Sequence, residues 1–120
     1  MWDLALRDLA LHSAGVLAIL VAIAHGAIGE LRVFARARIE PPRARTLLHL
    51  IFQATTVDWI GVAVLLIAAP WLGPQARPWI IAVAVVVYGY AAVGNAVASR
   101  GRHVGWVLMS CVLALTLIGI

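Results

Sequence analysis

The chain has 120 residues, of which 64% are hydrophobic and 12% charged, with a mean hydropathy of +1.02. Soluble domains lie nearer half apolar and a quarter charged, and a fold this short buries only about 60–70% of the surface its unfolded chain exposes. The composition therefore excludes a soluble domain and places the chain in a bilayer, while the formal charge of +4, built from arginine without lysine, sits in short connections rather than on the basic, aromatic-lined face that nucleic acid requires.

The N-terminal "MWDLALRDLALHSAG" offers Asp3–Arg7 and Asp8–His12 at i,i+4 spacing, acid first in both. It reads as an interfacial helix or as an outward extension of the first span, with His12 an interfacial side chain. Its side chains are net acidic where a cleaved leader needs a basic start, so the first apolar run is expected to be a transmembrane helix.

Four spans are expected, at about 11–34, 46–69, 79–99 and 103–120, each long enough for a ~30 Å hydrocarbon core. "RARIEPPRAR", "PWLGPQARP" and "SRGRH" separate them with proline, glycine and charge. Short connections imply antiparallel neighbours, hence a single all-α transmembrane domain over 1–120, an integral membrane four-helix up-down bundle. Arg32, Arg36, Arg38, Arg43 and Arg45 surround the first connection, and Arg100 and Arg102 lie in the third; the second has only Arg77. The positive-inside rule then puts connections one and three in the cytoplasm and both termini outside, N-out and C-out. Trp2, Trp71 and Trp79 would form the outer aromatic belt and Trp106 would mark the inner interface.

In span one, Gly15, Ala18, Ala22, Gly26 and Gly29 share a face at about 100° per residue, flanked by His25 and Glu30. Small residues in this pattern let two helix backbones approach closely in lipid. The partner is either another span of the same chain or a second subunit. His25 lies roughly 13 Å and Glu30 roughly 6 Å from the inner end. Glu30 is within reach of an arginine such as Arg36 or Arg43, while His25 is cheapest as a neutral imidazole with one hydrogen bond. Intramembrane ionisable groups otherwise default to a functional reading.

Span two places His49, Gln53 and Thr56 on one stripe. Asp58, near the midplane, lies opposite His49, where a charged carboxylate costs at least ~2.5–3.5 kcal/mol. It is either bonded to a neighbouring helix or a proton-carrying or ligand-binding group. Span three offers Tyr88, Tyr90 and Asn95, and span four His103 and Trp106 at its start, then Ser110, Cys111 and Thr116. Cys111 is alone, so no intrachain disulfide and no cysteine metal cluster is expected. His25, Glu30, His49, Gln53, Tyr90, Asn95 and His103 gather in the inner half, capped by Asp58, either lining a cytoplasm-facing cavity or making separate interhelical bonds.

Taken together, "HGAIGE", "FQATTVDW" and "RHVGW" resemble a group of short four-span bacterial inner-membrane proteins of uncharacterised function. That group carries His-x-x-x-Gly-Glu in the first span, Trp-His followed by Ser/Thr in the second, and His-Pro-Gly-Trp opening the last. His25, Gly29 and Glu30 fit the first motif, and His103, Gly105 and Trp106 the last, with Val104 in place of proline. Phe52-Gln53 stands where Trp-His is expected, so a ligand histidine there is lost unless His49, one turn earlier on the same face, substitutes, and the departure favours hydrogen bonding over a ligand role. The resemblance implies the fold and a bacterial inner-membrane location, and no mechanism.

The chain shows no nucleophile–base pair at readable spacing, no phosphate loop and no H-E-x-x-H motif, so an enzyme is not expected. No cofactor is expected either. Haem or a metal would need imidazoles at matching depth, which only a His25–His25 pair across a dimer offers easily. Two functions stay open. One is a structural or accessory subunit, or self-assembling bundle, partnered by the bilayer and by itself or a larger membrane complex. The other is an oligomeric small-solute or proton-coupled transporter or channel using Asp58 and His25.

Overall fold

The computed structural model describes residues 3–120, and Trp2 lies outside them. Four helices follow one another: α1 (Leu4–Ile28), α2 (Pro42–Ala68), α3 (Arg77–Ser99) and α4 (Gly105–Ile118). A π-helical segment, Gly29–Phe34, continues α1 without a break. Among the described residues there is no strand, so the chain is an all-α bundle.

Local chemistry sets the boundaries. Asp3 caps α1, its Oδ1 accepting from the Leu6 N–H at 2.8 Å. The N-terminal segment is thus an extension of the first helix. Prolines stand in the opening turns of α2 and α3, where a missing N–H costs nothing. At the end of α3, Arg100 and Gly101 both take left-handed backbone (φ 52° and 73°), and the Gly101 N–H closes the helix onto the Ala96 carbonyl at 2.8 Å.

The helix through Phe34, α2 and α3 are each long and apolar enough to cross a membrane. At 14 residues α4 is shorter than the expected span, rising about 21 Å against a ~30 Å core. Its start is displaced to Gly105 because the His103 side chain caps the preceding turn, Nδ1 accepting from the Gly105 N–H at 3.0 Å.

Around the bundle, α1 packs on α2 and α4, and α3 packs on α4 and α2, so α2 and α4 are diagonal. The small-residue face of α1 is turned inward. Gly15, Ala18, Ala22, Gly26 and Gly29 are all buried, and their partner is α2 of the same chain. A Cβ at Gly15 would stand 2.5 Å from the Ile67 side chain and 2.7 Å from the Ala63 carbonyl. One at Gly26 would press on Thr56 and Gln53, and one at Gly29 would enter the Phe52 ring. Leu11, Leu66, Tyr88, Met109, Val112 and Thr116 fill the remaining centre.

Candidate functional site

Two polar locks hold the ends of the bundle. At the arginine-rich end, Glu30 stands on the first turn of the π-helical segment, facing α2. Its Oε1 accepts from His49 Nε2 at 2.5 Å and from Gln53 Nε2 at 2.8 Å. Gln53 Nε2 also donates to the Gly26 carbonyl at 3.2 Å, which only a glycine-lined approach allows. His49 and Gln53, one turn apart, thus hold the same carboxylate. Arg36 and Arg43 do not pair with Glu30, whose carboxylate is taken by His49 and Gln53. Arg45 instead donates from Nη2 to the Phe34 carbonyl at 2.5 Å, on the segment whose widened turns leave backbone acceptors free.

At the other end, Arg77 donates from Nη1 to Asp8 Oδ1 at 2.6 Å, and from Nε and Nη2 to the Gly119 carbonyl at 3.1 and 3.0 Å. One guanidinium therefore ties α3 to α1 and to the end of α4. Asp8 does not bond His12, whose ring packs on Trp71, and Asp3 serves as a cap.

Between the locks runs a ladder of rings alternating between α2 and the first helix: Trp59, His25, Phe52, Phe34 and His49. His25 stacks on Phe52 at 4.0 Å and 9° and packs on Trp59 at 4.5 Å; Phe34 lies 5.5 Å from Phe52 and 4.8 Å from His49. His25 packs between these faces. Its buried Nε2 has no partner among the described residues, nor has Thr56 Oγ1.

His25, Asn95 and His103 line a cavity of about 140 Å³ with Trp59, Leu108 and Met109. That is the volume of a few water molecules. Among the described residues no three His, Cys, Asp or Glu side chains converge on a point that would suit a metal ion. Gly105 completes the corner, since a Cβ there would stand 2.8 Å from His103 Nδ1 and 3.1 Å from Asn95 Oδ1. Trp106 Nε1 donates to the Gly101 carbonyl at 3.0 Å, fixing the same turn.

Asp58 and Tyr90 do not join this inner group. Asp58 is exposed on α2, away from the bundle axis, and Tyr90 on α3 is 83% exposed. Neither makes a hydrogen bond or ion pair among the described side-chain contacts. Asp58 was expected to cap the inner polar region. It misses because α2 turns Trp59, Ala63 and Leu66 inward, and Asp58 lies about 100° round the helix from Trp59. Tyr88 does face inward, buried, and donates to the Trp59 carbonyl at 2.8 Å.

The Arg77 lock and the ring ladder were not foreseen from the sequence. Arg77 as the lone arginine of its connection, and Phe52 and Trp59 two turns apart on α2, were their available signals. Compared with family models, with curated proteins and with solved structures, the chain matches none of them.

Proposed function

We propose that this is a four-span protein of the bacterial inner membrane, with both ends of the chain periplasmic, acting as a structural or accessory subunit or as a self-assembling bundle. The observation that carries the reading is the use made of the polar side chains that bond between helices. Glu30 holds His49 and Gln53, Arg77 holds Asp8 and the Gly119 carbonyl, and Tyr88 holds the Trp59 carbonyl. Each bond joins two helices, and in lipid such bonds serve packing. The orientation is supported by the arginines: Arg32, Arg36, Arg38, Arg43, Arg45, Arg100 and Arg102 flank the connections at one end, against Arg7 and Arg77 at the other.

Reconstitution tests it. Proteoliposomes are expected to show proton and small-solute flux equal to protein-free vesicles, while gentle release from native membranes yields masses above the 12.8 kDa protomer. A flux abolished by Asp58→Asn overturns the reading.

The alternative, an oligomeric transporter or channel using Asp58 and His25, is favoured by one observation. The Asp58 carboxyl faces out of the bundle in mid-helix, where a pathway between subunits would run.

A further inference from the structure

Asp58 is exposed in mid-α2 and has no hydrogen-bond or ion-pair partner among the described residues, whereas a carboxyl at that depth of a membrane helix needs one. On α2 the residues Leu47, Ile51, Ala54, Asp58, Gly61 and Leu65 are all exposed. Their spacing of four and three residues makes one straight seam of the kind that packs against another helix. Ala54 and Gly61 leave the backbone bare on either side of Asp58, and nothing lies within 4 Å of a Cβ built on Gly61.

The neighbouring helix carries a matching seam. Val83, Val86, Tyr90 and Val93 on α3 are exposed and follow the same spacing, with the phenol at the centre as the carboxyl is on α2. The two groups lie at one depth. The Tyr88–Trp59 bond sets the register of α2 and α3; Asp58 and Tyr90 follow from it by one and two residues toward the same end of the bundle. Their levels therefore agree to within about one helical turn. Each side chain leans toward the N-terminus of its own helix, so on antiparallel helices the two lean toward a common level. An acceptor and a donor, both unsatisfied, thus stand at one depth on adjacent helices.

We propose that a second copy of this chain docks on the α2–α3 wall, related by a twofold axis along the membrane normal, so that each Asp58 accepts a hydrogen bond from Tyr90 of the partner subunit. The wall is self-complementary, which a twofold contact requires. Bare backbone at Ala54 and Gly61 permits the close approach that holds helices together in lipid. This specifies the partner within the assembly reading above and rests on it.

The experiment is oxidative cross-linking in native membranes, read beside native mass spectrometry. Ala54→Cys and Gly61→Cys, each in a Cys111→Ala background, are expected to give a covalent dimer at twice 12.8 kDa. The unaltered Cys111, exposed on α4, is expected to give none. Asp58→Leu and Tyr90→Phe are each expected to weaken self-association on the order of tenfold, since each removes one side of both symmetry-related bonds. Combining them should weaken it little further. Circular dichroism verifies that both variants keep their helix content. A monomer at every protein-to-lipid ratio, cross-linking through Cys111 alone, or a dimer indifferent to both substitutions overturns the proposal. A mass carrying a different polypeptide on this wall also overturns it while leaving the accessory-subunit reading intact, whereas Asp58-dependent flux overturns that reading and leaves the dimer to stand on its cross-links.

Discussion

Arg77, in the first turn of α3, reaches Asp8 on α1 across 69 positions of sequence and holds its carboxylate at 2.6 Å, with side-chain exposures of only 15% and 29%. A charge-assisted bond this sheltered contributes more than a surface pair, and removing one partner strands the other. Arg77→Ala is expected to cost about 2 kcal/mol and Asp8→Asn somewhat less, because the Gly119 carbonyl still accepts from Arg77. Denaturant titration in micelles measures both. A double-mutant cycle showing no coupling would remove Asp8 from the lock.

The α1–α2 contact is set by backbone proximity. Gly15→Ala puts a methyl 2.7 Å from the Ala63 carbonyl, which has no rotamer to escape into. Overpacking of this kind costs about 1–3 kcal/mol. Gly89, with nothing within 4 Å of its would-be Cβ, supplies the contrast: Gly89→Ala is expected to stabilise α3 by about 0.5–1 kcal/mol. Opposite signs in melting temperature check the argument, and equal effects refute it.

Gln53 bridges Glu30 and the Gly26 carbonyl. Gln53→Leu keeps the volume and removes both bonds, which in a membrane bundle is expected to cost about 0.6–1.7 kcal/mol. Gln53→His retains a donor toward Glu30 and should recover part of that. Hydrogen exchange at residues 26–34 reads the local opening. Unchanged protection in the leucine variant would mean that the rings of Phe52 and Phe34 hold the segment unaided.

Arg100 is the one described non-glycine residue at positive φ, a conformation that costs a side-chain-bearing residue on the order of 1 kcal/mol. Arg100→Gly is expected to raise stability by about that amount. A drop in melting temperature would show that the arginine's own interactions outweigh its backbone cost.

What the sequence reveals here follows from the solvent. Hydrocarbon demands long apolar runs, so helix positions and the Pro- and Gly-bearing breaks are legible, and close backbone approach demands small residues, so the Gly15–Gly29 face of α1 is legible too. The same signals mislead on α2. Outside the stripe of His49, Gln53 and Thr56 this helix is mostly apolar all round, so hydrophobic periodicity cannot say which flank turns inward, and Ala54 and Gly61 on the exposed face are as small as the residues on the buried one. Asp58, placed opposite His49 and expected to cap the inner polar group, instead faces out of the bundle. Pairings such as Arg77–Asp8, and the change to π-helical turns at Gly29, depend on how two distant helices come to rest, and no local pattern encodes them.

The shortness of α4 bears on the surrounding lipid. Diagonal to it stands α2, whose 27 residues rise about 40 Å, against about 21 Å for the 14 residues of α4. In the four-span arrangement proposed above, the helical wall is therefore nearly twice as tall on one flank as on the other, and no flat bilayer of uniform thickness matches both. Acyl chains beside α4 must compress or the bundle must lean, at a fraction of a kcal/mol for each ångström of mismatch. Acyl-chain length thereby becomes a variable that sets this protein's tilt.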